Sequence, residues 1–455
     1  MAEVVVFDGI EEYGCVLHPS QEEAAGVDGI FSPIRHLVKP GETVVIKPNL
    51  VADSRIGASD EWVQVITNGA IIERTVQEVV LGLQGKGKVL VVDAPQTDSD
   101  YEKIAKRVDL DGIVERCSRG SSVEIEHFDL REEQWITREG VTVGKKKLKG
   151  DPLGYREVNL GTQSLFASKR NKNYYGADYD QKETSRYHNE VDNIYVMSNT
   201  VLSCDTFINL PKLKPHKLGG VTCCLKNAVG TCVVKNSLPH HTTGSPKVFG
   251  DQFPQMSGKV KAEGTLKKIA ASALKYKNPL VSYPIGLAKK VTGKVFGEQT
   301  SATVRNGSWY GNDTIWRTTL DLNRILLYSD KEGVMKDLPQ RKYYAVVDAI
   351  VAGEGDGPLD ADAKESGILL AGGDPVAVDA IAATLMGLDY EKIPTVSNGF
   401  AEMRWPLTQD APDKIKIKSN NENWNGNHVG SVLGSTLSFK PHFGWVGHIE
   451  LESWE

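Results

Sequence analysis

The segment LPKLKPHKLGGVTCCLKNAVG, residues 210 to 230, holds the side chains best suited to chemistry. Lys212, Lys214 and His216 come first, and Lys226 is then the only charged residue between Leu218 and Val234. An unpaired ammonium is costly to bury, so a lone lysine among apolar residues either reaches an anion or loses its proton more readily than usual. Its long stem also permits a third outcome, an ammonium that snorkels to water from a helix edge. Gly219 and Gly220 allow a close backbone approach and Gly230 a C-terminal cap, so a short helix is expected from about 221 to 229. On such a helix Thr222, Cys223, Lys226 and Asn227 share one face.

Downstream, LPHHTTG places His240 beside His241, and imidazoles here together with His216 could ligate a metal. The spacing C-x-x-C is missing, and loop histidines bonded to backbone are the plainer alternative. Cys223 and Cys224 read as small core residues. In VDAIVAGEGDGPLD the acids Glu354 and Asp356 would repel phosphate, so this loop either holds a cation, orients a sugar hydroxyl, or is a tight turn. Walker A, H-E-x-x-H and G-x-S-x-G patterns are absent from the sequence, which removes the common ATPase, zincin and α/β-hydrolase readings.

The elements that must position these groups follow an α/β rhythm. TVVIKP (43 to 48) and KVLVVD (88 to 93) read as buried parallel strands, joined by a helix with Ile71, Ile72, Thr75, Val79, Val80 and Leu83 at helical spacing. VEIEHF (123 to 128) and DTFINL (205 to 210) add strands, while residues 129 to 200 form a polar excursion in which KKKLKGDPLG reads as a solvated hairpin or loop. RILLYS, YYAVVDAI and GILLAGG continue the rhythm, and Asp374 followed by Pro375 opens a helix to about Met386. Parallel sheets collect ligands at the carboxyl ends of their strands. Sorted that way, Lys47, Asn49, Asp93, Lys212, Lys214, His216, Glu354, Asp356 and Asp374 all fall at strand ends. The expected architecture is α/β with two lobes of mostly parallel sheet, an interlobe cleft and a basic helical insertion: residues 1–240, 241–320 and 321–455. One wall of the cleft is basic, the other acidic.

Composition bounds the partners. With 455 residues and a net charge of −6, the chain has no general excess of basic charge, which argues against a nucleic-acid binder. Six unevenly placed cysteines do not make a disulfide framework, an acidic N-terminal stretch does not suit a secretory signal, and no run of 18 apolar residues occurs, so a cytoplasmic location is expected. Residues 259 to 297 carry nine lysines against one acid, Glu263, around an apolar stripe. A helix packed on the body is the first expectation, and contact with the inner face of an anionic membrane the alternative. The tail holds Trp424 and Trp445, which either stack on sugars or pack.

Five segments in order, KPNLV, LPKLKPHKLGGVTCCLKNAVG, SLPHHTTGSP with GDQFP, VDAIVAGEGDGPL and AGGDPVAVDAIAATLMG, resemble the family catalogued as domain of unknown function 362, over roughly residues 43 to 395. The resemblance implies a setting in envelope polysaccharide metabolism; relatives with an added ferredoxin-like cysteine cluster differ from this chain. A more distant resemblance is to the nickel-dependent lactate racemase family, in which a histidine, a lysine ten positions later and a further histidine serve a nickel-pincer nucleotide. That resemblance implies Lys226 as cofactor anchor, His216 as general base and His240 or His241 as metal ligand. This chain departs from it at Cys224-Leu225, where that family has two glycines, and at Asp93-Ala94-Pro95-Gln96-Thr97, where its other catalytic histidine would lie.

The expected site therefore has His216, Lys226 and Asp93 as catalytic groups. Lys226, Lys47, Asn49, Lys212, Lys214, Gly219, Gly220 and Asn227 hold an anionic cofactor, and His240, His241, Glu354 and Asp374 a divalent metal. The expected activity is that of an isomerase or epimerase acting on a small anionic or sugar-linked substrate, with a nickel-pincer nucleotide or another divalent metal as candidate cofactor. The alternative is a non-catalytic binding or scaffold protein of an envelope polysaccharide pathway, seated on membrane through residues 259 to 297.

Overall fold

A computed structural model describes residues 2–138, 141–255, 304, 306–429 and 436–451. The basic segment 259–297 lies outside these residues. Eight strands form one sheet, in chain order Glu3–Asp8, Thr43–Pro48, Lys88–Asp93, Glu124–Asp129, Thr206–Leu210, Lys342–Asp356, Asp360–Gly372 and Lys416–Ser419. Thr206–Leu210 sits near the centre, with Thr43–Pro48, Lys88–Asp93 and Glu124–Asp129 following it in parallel on one side. Lys342–Asp356 pairs with it in parallel on the other side and turns into the antiparallel Asp360–Gly372.

The α/β class and mostly parallel pairing match the expectation. The two halves of the chain, however, do not carry separate sheets. The 206–210 and 342–356 strands are hydrogen-bonded neighbours, so the expected interlobe cleft is replaced by the edge of a single sheet. Period-2 alternation explains the layers. Val44, Ile46, Ile208 and Leu210 face one core, under the helices Ala24–Leu37 and Gly69–Leu83. Val45, Phe207, Ala345 and Val347 face the other, under Ile315–Tyr328 and Pro375–Leu385. Because both faces are covered, these strands are apolar at nearly every position rather than alternating with polar residues.

Helix starts follow their caps. Asn68 accepts from the Ala70 N–H at 2.9 Å, and Asp374 accepts from Val376 and Ala377 at 2.9 Å each. RILLY, read as a strand-length run, is instead the last turn of the helix Ile315–Tyr328, whose every residue except Arg317 is buried. The KKK run belongs to the antiparallel hairpin Glu133–Arg138 and Val141–Lys147. Trp424 and Trp445 are 2% and 0% exposed, so both pack. Among the described residues no helix is long and apolar enough to cross a membrane.

Candidate functional site

At the carboxyl edge of the parallel strands lies a cavity of about 480 Å³, within the size range of small-molecule sites. Its floor comes from strand ends: Lys47 and Asn49, Asp93, and the turn at Pro358 and Leu359. The 210–240 segment forms one wall with Lys214, His216, Lys217, Thr222, Lys226, Asn227, Lys235 and His240. Trp135, Thr137 and Thr142 of the 133–147 hairpin, with Thr97, Asp178 and Tyr179, form another.

The expected helix at 221 to 229 is shorter than its sequence suggested. Lys214–His216 and Gly220–Thr222 pair as a tight antiparallel hairpin, with Gly220 at a φ of 80°. Only Cys224–Asn227 is α-helical before a 3-10 turn, Ala228–Thr231. This geometry brings Thr222, Lys226 and Asn227 to the cavity and turns Cys223 away from it. Gly219 and Gly220 shape the hairpin and are not among the lining residues.

The hairpin also fixes the state of His216. Its Nδ1 accepts hydrogen bonds from the backbone N–H groups of Leu218 and Gly219, both at 3.1 Å. Burial and the neighbouring lysines push its pKa well down, so the ring is neutral. A neutral imidazole with an accepting Nδ1 carries its proton on Nε2. His216 is therefore a hydrogen-bond donor, not the general base expected from sequence. His240 is set the opposite way: its Nδ1 lies 2.8 Å from the Leu238 carbonyl and must donate. Burial, with Lys226 adding to it, brings its pKa to about 3, which leaves a lone pair on Nε2. The same strand alternation sends His241 elsewhere, stacked on Tyr175 with ring centroids 4.9 Å apart.

Beneath the cavity Lys47 and Asp93 form a buried ion pair, Nζ to Oδ1 2.7 Å, at 1% and 2% exposure. Asp93 also accepts from the Leu50 and Ala94 N–H groups at 2.8 Å each. Lys47 donates to Asn227 Oδ1 at 3.1 Å, and Asn227 in turn donates to Asn209 at 2.8 Å. With its lone pairs so engaged, Asp93 acts as an anchor. Gly230 has no cap role; it leaves room for this pair. A Cβ at Gly230 would sit 2.2 Å from Asp93 Oδ1 and 2.6 Å from Lys47 Cε, whereas one at Gly219 would meet nothing nearer than 3.5 Å. Gly230→Ala is accordingly expected to lose about 1–3 kcal/mol of stability. Gly219→Ala should be neutral or gain up to about 1 kcal/mol. Urea unfolding of the two variants tests the difference, and equal effects would contradict it.

Lys226 meets the cavity in a different state. Half-buried, it makes no hydrogen bond or ion pair with any described residue, and burial reinforced by Lys235, Lys47 and Lys217 brings its pKa down to about 7. Opposite, Asp178 accepts from Thr97 Oγ1 at 2.7 Å, and burial raises its pKa.

Besides Gly219, Gly220 and His241, the expected site residues Lys212, Glu354 and Asp374 lie apart from this lining. Lys212 is fully buried in an ion pair with Asp348 at 2.7 Å and donates to Tyr13 and the Val351 carbonyl, so it joins structural elements. Glu354 pairs with Lys364 at 3.2 Å on the 342–372 hairpin, and Asp374 is spent on its helix cap. The metal quartet His240, His241, Glu354 and Asp374 is thus not assembled. Among the described residues, three potential ligand atoms converge instead at Cys223, Cys224 and Asp379, all buried. There Asp379 accepts from the Cys224 and Leu225 N–H groups at 2.6 and 3.1 Å, which holds the turn carrying Lys226. Its pKa, raised by burial, is about 7, and both thiols are raised as well, so they stay protonated and unreactive.

Sequence reasoning missed Lys217, Lys235, Trp135, Thr97 and Asp178. Lys217 lies within the 210–230 segment, Lys235 close after it, and Thr97 in the loop that follows the 88–93 strand, whereas Trp135 and Asp178 come from the polar excursion, which shows no periodicity that points to a site.

Residues 158–384 match the family model described as Domain of unknown function (DUF362). That stretch is a DUF362 domain. It contains the 210–240 wall, while Lys47, Asn49 and Asp93 come from the chain before it, and the family description specifies no reaction. A search of curated proteins finds no match. Two solved structures are similar at a low level. The lactate racemase apoprotein from Thermoanaerobacterium thermosaccharolyticum has 9% identity and a TM-score of 0.33, over 84% of this chain and 57% of that one. A Thermotoga maritima protein has 11% identity and a TM-score of 0.30, over 79% of this chain and 57% of that one. The chain thus spans little more than half the length of either, and overlays this loose carry no argument about chemistry.

Proposed function

We propose that this DUF362 domain and its N-terminal strands form an enzyme that moves a proton on a small anionic or sugar-linked substrate, as an isomerase of the racemase or epimerase kind. The observation that carries this reading is Lys226, an amine with no ion pair among the described residues, whose pKa burial brings down to about 7 inside a 480 Å³ cavity. A base works best when its pKa lies near the working pH. In the proposed step the neutral Lys226 amine removes a proton from carbon next to a carbonyl or carboxylate and becomes ammonium. The electron pair left behind moves onto the oxygen, where the His216 Nε2–H donates a hydrogen bond to the developing charge. The intermediate then turns over within the cavity, and Lys226 returns the proton to the opposite face of the same carbon, which completes a one-base epimerisation.

A protein-only metal site does not suit this lining, whose one imidazole lone pair stands among cationic groups and whose carboxylates are engaged, Asp93 with Lys47 and Asp178 with Thr97. A nickel-pincer nucleotide, which brings donor atoms of its own, is the alternative to base chemistry at Lys226: there Lys226 would anchor the cofactor in place of acting as a base, and His240 Nε2 would ligate its metal. When bound, such a cofactor supplies acceptance and return of a hydride.

Chemical modification tests the amine directly. Treated briefly with trinitrobenzenesulfonate at pH 7.5, the native protein is expected to be modified at Lys226 at least ten times faster than at Lys145, whose side chain is 54% exposed and paired with Glu133. Peptide mapping reads the result. Equal or slower modification of Lys226 would remove the basis for its role as a base.

A further inference from the structure

The unpaired cations of this cavity number more than a single carboxylate could neutralise. Lys217, Lys226 and Lys235 all line it half-buried, and none has a carboxylate oxygen within 4.0 Å among the described residues. Lys235 gives one hydrogen bond, to the Ala94 carbonyl at 2.7 Å, and keeps two donors. Trp445 fixes the backbone of Lys217 by donating to its carbonyl at 2.9 Å. Two neutral donors accompany them. One is the Nε2–H of His216. The other is Thr222, a lining residue 5% exposed, whose buried hydroxyl has no hydrogen-bond partner among the described residues. An orphaned buried hydroxyl among three unpaired ammoniums needs an acceptor.

We propose that this group of residues binds a phosphoryl dianion, so that the substrate or cofactor of the site carries a phosphate monoester or diphosphate. The inference rests on the small-anion part of the reading above and narrows it; a Lys226 paired with the phosphoryl group is protonated, so it acts as a base only when released from that contact. A phosphoryl group offers two charges and three or more acceptor oxygens in a tetrahedral array, which matches three ammoniums converging with a hydroxyl and an N–H. A planar monocarboxylate offers one charge and two oxygens, and would leave most of these donors unserved. Thr97, Asp178 and Thr142, which line the same cavity, are suited to the hydroxyl-bearing remainder of such a molecule.

A linkage follows. Burial weakens the hold of all three ammoniums on their protons, and for Lys226 the neighbouring lysines add to it; a bound dianion strengthens that hold. Binding should therefore take up protons from solution.

Calorimetric titration with inorganic pyrophosphate, inorganic phosphate, malonate and acetate at pH 8, in two buffers of different ionisation heat, tests this. Pyrophosphate is expected to bind at least tenfold more tightly than malonate, with net proton uptake, and to bind at least tenfold more weakly to Lys226→Met and Lys217→Gln. Pyrophosphate should also slow trinitrophenylation of Lys226 in the unaltered protein by tenfold or more, a readout that needs no variant to fold. If malonate or acetate binds as well as pyrophosphate, the phosphoryl assignment falls while the small-anion enzyme stands. If pyrophosphate neither binds nor protects Lys226, the phosphoryl assignment falls as well, and the proton-transfer role is then decided by the labelling rate of Lys226 alone.

Discussion

Asp93→Ala is expected to destabilise the protein by about 3–5 kcal/mol, the range seen when one partner of a buried ion pair is removed. Three bonds depend on this carboxylate: the 2.7 Å contact with Lys47 and the 2.8 Å bonds from the Leu50 and Ala94 N–H groups. Without it the Lys47 ammonium keeps only the Pro48 carbonyl and Asn227, in a position where burial already depresses its pKa against the pull of Asp93. The loss includes the exposed need of a stranded charge as well as a broken contact. Lys47→Met combined with Asp93→Leu should recover most of it, because two apolar groups of similar volume leave no ion unpaired. Urea unfolding followed by circular dichroism provides the measurement. A single variant within 1 kcal/mol of the parent protein would mean that the pair is open to water. Loss of Lys47 removes one of the charges that lower the Lys226 pKa, so trinitrophenylation of Lys226 is expected to slow in the double variant.

Much of the fold was legible because both sheet faces are covered. TVVIKP, KVLVVD and DTFINL are continuous apolar runs, and only buried parallel strands of that length explain them. Lys47, Asn49, Asp93, Lys214 and His216, which the sequence places at strand ends, all line one cavity. What sequence could not resolve was the use made of a polar side chain once placed. Lys212 and Lys214 are two residues apart on the same segment; Lys212 pairs with Asp348 and Lys214 lines the cavity. Their difference depends on Asp348, more than a hundred residues away. Asp374 has the local signature of a helix cap and is one, so its presence at a strand end said nothing of a ligand site. His240 and His241 show the same limit, since adjacent strand residues point opposite ways and only the register with Tyr174–Gly176 decides which meets the cavity.

Lys226→Met should separate the cost of this lysine from its use. The stem volume is nearly conserved, so packing is not the variable. For the stability effect, the folded-state pKa of about 7 lies below the ordinary value of 10.5 that the unfolded chain shows. Below pH 7 both states are protonated, and the folded protein bears the full cost of a poorly solvated ammonium. Between about 7 and 10.5 the unfolded chain holds a proton that the folded one has released, so stability rises with pH, by at most about 1.4 kcal/mol per unit. Above that window the cost is gone. Lys226 remains half-buried beside cavity water, so the realised slope is smaller, and Lys217 and Lys235 contribute in the same direction. The difference between the parent and Lys226→Met isolates one residue: the variant should be more stable near pH 7 by roughly 1–2 kcal/mol and should converge with the parent toward pH 10. Activity should move the other way, falling about 10²–10⁴-fold for loss of a general base, once a phosphorylated substrate is identified by turnover. Lys226→Arg divides the two roles further. A guanidinium stays protonated across this range, so Arg should retain pyrophosphate binding, lose proton transfer, and show no restoration of stability at high pH. Parallel stability profiles for the parent and Lys226→Met from pH 7 to 10 would mean that the ammonium is well solvated and cannot act as a base at neutral pH.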